Sequence, residues 1–600
     1  MQADTADLVN SNDSTHKISA TPNSTPVALN ANQWGYSLNK SATTFSAVPA
    51  GAQAISAVIS DVTKAKPAGC INPANCTKQV TFAANVNPAK LASGSYNTAI
   101  TYTATAKPAP KPVDWPQRTA KASPSETCQA GNTNSSCLVA LDRNMIPVKY
   151  TGTTTNAQWT SIANPEAANS GWYDYANKQW ANAITVKPEA LSKYRGFSKV
   201  VDQSDILGFW VYIPRYAYEV MRRDGTDKPV KEQNFDIKFE NTKTPKKRPL
   251  ACKTGNGKDY RTECGVSREL PLTGGEVSTW STHPAFTFGR KELNGIWFAK
   301  FETTGTSAQP TVLPNERHIE GDNSDILGVG GFYVLAKTMG VNDSNNIGGG
   351  TDGVNASQNN HHLAKLSSHM VNNNDWGAAT YLSASKYGAG YNGVQINANG
   401  ASHSGSYGTT GCGPWENGNT DSYGDNDYYS WLVHKNISIG AFGTQQACSA
   451  DNPQRAYNGT LGQLASTTNN PTGIYDMSGG GCEYVAASYS DNLNNFSAYG
   501  FRQSAHPPYV NTYNITDPNS CTFATCGGQA LYETNNGTNN NATSQWNSNN
   551  MRFTMSSDLT LFTRGGHYGD GSNAGLFYAY SARGYGDDVY AFRVALAPAP

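Results

Sequence analysis

Charge is what this sequence has least of. Only 15% of its 600 residues are Asp, Glu, Lys or Arg, and 45 basic side chains are balanced by 45 acidic ones. A zero net charge argues against a general polyanion binder, which needs a basic surplus, so no nucleic-acid partner is expected. No stretch approaches the roughly 20 consecutive apolar residues that span a bilayer. Membrane association would have to come through an anchor not visible here. The opening MQADTADLVNSNDS lacks the basic start and apolar run of a signal peptide. We read the chain as a mature or trimmed form. There is no HExxH and no P-loop, and no Gly-x-Ser-x-Gly in a strand–turn–helix setting. Nothing here points to an enzyme or an organic cofactor.

What is present is 57 Gly and 32 Tyr, with abundant Asn, Thr and Ser. That vocabulary favours strands, long ordered loops and an extracellular or cell-surface location over a helix bundle. Of the 11 cysteines, ten fall into near neighbours: Cys70/Cys76, Cys128/Cys137, Cys252/Cys264, Cys412/Cys448 and Cys521/Cys526. Cys482 stands alone. Most lie in polar, Gly/Asn-rich text, as disulfides clipping surface loops do in an oxidising compartment. Free thiols in a reducing cytosol are the alternative, and proximity does not fix connectivity.

Residues 1–19 read as a disordered polar segment. Residues 20–108 alternate apolar and polar residues in KQVTFAANV and YNTAITYTATA, which predicts a small Ig-like β-sandwich. The text KPAPKPVDWP begins a Pro-rich and polar linker over 109–137. Residues 138–600 show no second linker of that kind. Short strands (ILGFWVYIPRYAYEVMR, GIWFAKFETT, AFRVALA) alternate with long Gly/Asn loops, and a helix is expected at His361–Tyr381. The fold class expected is α+β, with few helices and an antiparallel sheet.

Two local clusters invite a metal reading. His361, His362 and His369 lie close in sequence, but a polar helix start with surface imidazoles is the plainer account. Asp421, Asp425 and Asp427 offer oxygen ligands of the kind calcium takes, without the spacing of an EF-hand loop. We expect a solvated acidic loop there, with structural calcium left open and no metal site assigned.

Several phrases carry a resemblance. GIYDMSGGGCEYVAA (Gly473–Ala487) is similar to the GLYDMSGNVWEWV phrase of the formylglycine-generating-enzyme (sulfatase-modifying factor) type of C-type-lectin fold. RGGHY (Arg564–Tyr568) resembles its RGGSW, and FRVAL (Phe592–Leu596) its terminal GFRVA strand. WYDYANKQWANA, WVYIPRYAYEV, ELNGIWFAKFE and WGAATYLSASKYG resemble bacterial and prophage surface proteins with the same fold. The resemblance covers most of 138–600, in the same order, and implies a C-type-lectin-fold ligand-binding domain. On the residues themselves, Tyr475, Met477 and Tyr484 are expected to plug a core around a turn at Gly479–Gly481. Arg564 is expected to pair with a buried Glu483. The enzymes of that group use two cysteines in the C-terminal segment. Here that segment, YAYSARGYGDDVYAFRVAL, contains none, and Cys482 stands where the family phrase has Trp. The oxidase chemistry is therefore not expected.

The last residues set two odd patches between the frames RGG, GSNAGLF and AFRVAL. One is His567, Tyr568, Gly569 and Asp570. The other runs from Ala579 to Tyr590. Rigid aromatic area mixed with small polar groups is the vocabulary of binding loops. Residues 561–596 resemble the variable region of diversity-generating-retroelement proteins, in which adenines of a template repeat are miscopied. Asn codons (AAC) then become others with the third base kept, which cannot yield Lys, Glu, Gln, Trp or Met. Residues 566–591 contain none of those five.

The resemblance implies binding, with ligand contacts from both patches and the strand between them: His567, Tyr568, Gly569, Asp570, Tyr578, Ala579, Tyr580, Ser581, Ala582, Arg583, Tyr585, Asp587, Asp588, Val589 and Tyr590. The tyrosines would supply flat area with a hydroxyl tip, and Arg583, Asp587 and Asp588 charge complementarity. Alternation along a strand puts Tyr578 and Tyr580 on one face and Ala579 on the other. The partner expected is a protein or another cell-surface ligand. A fixed adhesin or phage tail-tip protein on the same fold is the alternative, and a formylglycine-generating-type oxidase a remote one.

Overall fold

In a computed structural model, the chain divides into two compact units, Met1–Lys111 and Pro112–Pro600. The residues described are short stretches within 2–101, then 125–220, 235–242, 280–319, 328–341, 358–397, 409–414, 454–488, 508–513, 527–534, 549–552 and 560–598, with brief interruptions.

The first unit is all-β where described. Thr81–Asn85, Gln33–Ser37, Lys17–Ala20, Leu8–Asn10 and Tyr96–Asn97 form one five-stranded sheet in that order, and Gln2–Ala3 pairs separately with Ile100–Thr101. The segment 1–19, expected to be disordered, therefore belongs to the unit. Leu8 and Val9 pair with Ile18 and Lys17, and the buried Ile18 anchors them. Short polar text hid strands of two to four residues, too brief for an alternation to show.

The second unit is mostly sheet with few helices. Its larger sheet has seven strands in the order Leu366–Met370, Val594–Pro598, Gly295–Ala299, Ile206–Pro214, Asn182–Val186, Ile146–Tyr150 and Trp159–Ser161, all antiparallel. The central strand ILGFWVYIP is buried at every position. Its β-branched and aromatic residues suit a strand covered on both faces. The smaller sheet runs Asn511–Thr512, Cys482–Ser488, Leu561–Gly565, Gly575–Ala582, Met551–Arg552, and Tyr590–Phe592 pairs in parallel with Cys482–Ser488. Among the described residues no helix is long and apolar enough to cross a membrane.

Three boundaries differ from expectation. The linker ends early: Cys128 and Cys137 are buried and disulfide-bonded, and the Tyr175 amide donates to the Cys128 carbonyl. The helix expected at His361–Tyr381 is instead a strand, Leu366–Met370, followed by a helix, Asn373–Ser383. A capping box between Asn372 and Asp375 starts that helix, and Leu366–Met370 pairs across five residues with Val594–Pro598. Of His361, His362 and His369, only His362 is a surface imidazole. His361 and His369 are buried, the first between Thr185 and the Pro310 carbonyl, the second against Asp375 at 3.1 Å. The final strand is two strands, Tyr590–Phe592 in the smaller sheet and Val594–Pro598 in the larger, with Arg593 between them.

The turn core forms as expected. Tyr475, Met477 and Tyr484 are buried, and Gly479 and Gly480 take φ of 76°, a conformation that suits glycine. The ion pair does not form as expected. Glu483 binds Arg593, not Arg564, although Arg564 lies opposite it in the register. Arg564 turns instead to the Gln529 and Ala530 carbonyls at 3.2 and 3.1 Å and lies over the Trp376 ring. The remaining cysteine calls, and the aspartates at 421, 425 and 427, fall outside the described residues, except that Cys412 is disulfide-bonded and Cys482 is free and buried.

Candidate ligand-binding face

Strand register decides which C-terminal side chains meet. Tyr484 lies opposite Thr563, and Thr563 opposite Tyr580. On the other edge Cys482 lies opposite Tyr590 and Tyr484 opposite Phe592. Residues directly opposite share a face of a sheet. Cys482, Tyr484, Thr563, Tyr580 and Tyr590 therefore point the same way, while Glu483, Arg564, Ala579 and Ala591 point to the other side.

The tyrosines pack on one another. Tyr578 and Tyr580 stack at 6.3 Å with an interplanar angle of 14°, as their two-residue spacing on one strand predicts. Tyr484 and Tyr590 lie 4.7 Å apart. Cys482 lies on the same face as Thr563 and these tyrosines and is buried. Burial, and then the charge of Asp570, push its thiol up to about 12. Burial likewise holds the Tyr578 and Tyr590 hydroxyls well above the usual tyrosine range. All three groups stay protonated at neutral pH, so the face is aromatic with hydroxyl tips and no thiolate.

Two turns border it. At Gly565 and Gly566 φ is 81° and 71°, and the chain then folds over the Asp570 carboxylate. That carboxylate accepts from the His567 amide at 2.8 Å and sits 3.2 Å from the His567 ring. The Tyr568 amide donates to the Gly480 carbonyl at 2.9 Å, which ties this patch to the glycine turn. On the other side the Tyr484 hydroxyl accepts from the Gly584 amide and donates to the Tyr585 carbonyl, both at 3.1 Å. The Val329 amide, at the start of the Val329–Ala336 helix, donates to the Gly584 carbonyl. These anchors meet the 583–587 loop at its main-chain atoms.

The expected contact residues sort into three groups. Arg583, Tyr585 and Asp587 are exposed, Tyr585 by 44%. His567, Tyr568, Asp570, Tyr580, Val589 and Tyr590 are half-buried. Tyr578, Ala579, Ser581 and Ala582 are buried. Ala579 and Ser581 alternate with the tyrosines and face the interior side of the strand. Gly569 and Asp588 lie outside the described residues. The sequence reading missed the floor, Cys482, Tyr484 and Thr563. Alternation in CEYVAAS puts Cys482 and Tyr484 on one face, but nothing local says that this face lies beside residues a hundred positions later.

Among the described residues no group of three or more His, Cys, Asp or Glu side chains is placed to hold a metal ion. No protein-family model and no curated protein matches the chain.

Proposed function

We propose that this is a surface-displayed ligand-binding protein, not an enzyme. In this reading its C-terminal unit has a C-type-lectin fold of the formylglycine-generating-enzyme type, and residues 561–596 are a variable region diversified by retroelement mutagenesis. The partner is a protein or another cell-surface ligand met outside the cell, and binding requires no cofactor.

The observation that carries the reading is the separation of frame from face. The frame is buried and bonded through main-chain atoms and through Arg564 and Arg593. Arg583, Tyr585 and Asp587 project from it, and the Tyr484 and Val329 anchors meet their loop at main-chain atoms. A scaffold of that kind tolerates exchange of its exposed residues, which diversification demands. The raised Cys482 thiol also counts against thiol-based oxidation, which runs through a thiolate.

The test is to sequence the DNA around this gene. The reading expects a second copy of the codons for about Leu561–Leu596, differing where that copy has adenine, next to a reverse-transcriptase gene. It further expects those differences to fall on Arg583, Tyr585, Asp587 and the half-buried rim, and to spare Arg564, Phe592 and Arg593. A locus without the repeat would leave a fixed adhesin, and differences scattered over the buried frame would remove the diversification reading altogether.

A further inference from the structure

The candidate face has a sign. Residues 566–591 contain three Asp and one Arg, with no Lys and no Glu. The segment is thus acidic in a chain whose net charge is zero. Such a mixture can still cancel locally, so the placement of the charges matters more than their number.

Two of the aspartates bracket the tyrosines. Asp570 stands at the first border turn, its side chain 24% exposed, where it accepts from the His567 amide at 2.8 Å and lies 3.2 Å from the His567 ring. Asp587 is exposed on the 583–587 loop at the second border. Both act on the aromatic face. Burial is the main cause of the raised Tyr578 and Tyr590 hydroxyls. After it and the neighbouring Cys482 thiol comes the charge of Asp570 at the first and of Asp587 at the second. Asp570 also raises the Cys482 thiol, again after burial. A negative field holds such groups protonated. Neither Arg583 nor any other described Lys or Arg is among the causes of these three shifts. Arg564 lies on the other side of the sheet, and the Arg593 guanidinium is bound to Glu483.

The aromatic area between the two carboxylates is reachable. Tyr585 is 44% exposed, Tyr580 and Tyr590 are half-buried, and the buried Tyr578 stacks on Tyr580 as a floor. The face of an aromatic ring is negative, the same sign as the carboxylates beside it.

We propose that the ligand of this chain is a basic protein surface, which sets lysine or arginine side chains on Tyr580, Tyr585 and Tyr590 between Asp570 and Asp587. This rests on the ligand-binding reading above and adds the chemistry of the partner. A guanidinium or ammonium gains from ring faces and carboxylates together. An acidic partner would meet like charge at both borders, with Arg583 as the counterweight. A neutral partner would strip water from Asp570 and return no charge to it.

The test is selection of short peptides from a ribosome-displayed random library on the full chain, followed by titration of those recovered. Peptides whose dissociation constant rises about tenfold or more in Tyr585→Ala bind at this face. They should be richer in Lys and Arg than the input library. They should weaken about threefold in Asp587→Asn and tighten about threefold in Arg583→Gln, the size of an exposed charge pair. All three positions are exposed, so the variants should melt with the wild type. Face-dependent peptides that are neutral or acidic, that keep their affinity in Asp587→Asn, or that weaken in Arg583→Gln would overturn the basic partner and leave the ligand-binding reading standing. Recovery of no peptide that depends on Tyr585 would remove that reading, and the proposal with it.

Discussion

Arg593 and Glu483 form a fully buried ion pair that joins the seven-stranded sheet of the larger unit to the smaller sheet containing Cys482–Ser488. Glu483 Oε1 accepts from Arg593 Nη2 at 2.6 Å, and Nε adds contacts of 3.2 and 3.0 Å to the two carboxylate oxygens. The same guanidinium donates to the Ala299 and Tyr475 carbonyls at 2.9 and 2.8 Å. Arg593 thus sits at the break between the last two strands and ties each to its neighbours. Glu302 and Asp476 lie in the same buried cluster, where their charges favour the guanidinium and burial disfavours their own ionisation.

Removing one partner leaves the other charge buried without compensation, which costs about 3–5 kcal/mol. Arg593→Met should lose that much in urea unfolding, and Glu483→Leu should be similarly damaged. Arg593→Met/Glu483→Leu should recover part of the loss, because no lone charge remains, while the Ala299 and Tyr475 carbonyls still lack their donor. A single-variant loss below about 1 kcal/mol, the value of an exposed pair, would mean that water reaches the cluster.

How much of this was legible beforehand follows from range. The alternation of Ala574–Ser581 placed Tyr578 and Tyr580 on one face, and the glycine turn at 479–481 announced its own core. Local pattern suffices for both. The Glu483 partner was not legible. Arg564 and Arg593 both flank apolar strand text, and the choice between them depends on a register set across more than eighty residues of chain. The helix at His361–Tyr381 failed for a related reason. LSSHM has no strong alternation, and its strand character comes from pairing with Val594–Pro598.

The candidate face should divide by mutation into frame and surface. Tyr578 is 6% exposed and Tyr585 is 44% exposed. Tyr578→Ala should cost about 3–5 kcal/mol, as truncation of a buried aromatic does. Tyr585→Ala should stay within about 0.5 kcal/mol, as surface changes do, because the Tyr484 hydroxyl bonds its carbonyl and not its ring. Thermal melts of the two variants check this. Equal losses would show that the 583–587 loop is part of the frame, and would count against its exchangeability.

His361 should set part of the acid limb of stability. The Pro310 carbonyl can only accept, so Nε2 carries the proton and Nδ1 accepts from the Thr185 hydroxyl at 2.7 Å. Thr185 in turn accepts from Trp210 at 3.1 Å. Burial pushes this imidazole from 6.5 down to about 4. The native ring stays neutral where the unfolded one binds a proton. Its contribution is therefore whole above pH 6.5 and is lost as pH falls towards 4, by about 3 kcal/mol in all. Glu302 and Asp476 act with the opposite sign. Burial holds both carboxyls well above their ordinary values of 4.5 and 3.8, so what they contribute is present in acid and lost as pH rises. His361→Phe should lower stability at pH 7.5, through the unpaired Thr185 and Pro310 groups, while flattening the slope between pH 6.5 and 4. A slope identical to wild type would assign that limb to other groups.

Cys482 should be chemically silent in the native chain. With its thiol at about 12, the thiolate fraction at pH 8 is about one in ten thousand, and the thiolate is the reactive form. The residue is also only 4% exposed. The difference between wild type and Cys482→Ala isolates this one thiol in a dithionitrobenzoate titration. That difference should be absent in native buffer at pH 8 and one equivalent in denaturant. Cys482→Ser nearly keeps the side chain's size and should leave the melt nearly unchanged. Native labelling as fast as in the unfolded chain would mean that the tyrosines part readily, and the face would then be a mobile cover and not the rigid aromatic surface that recognition of a ligand needs.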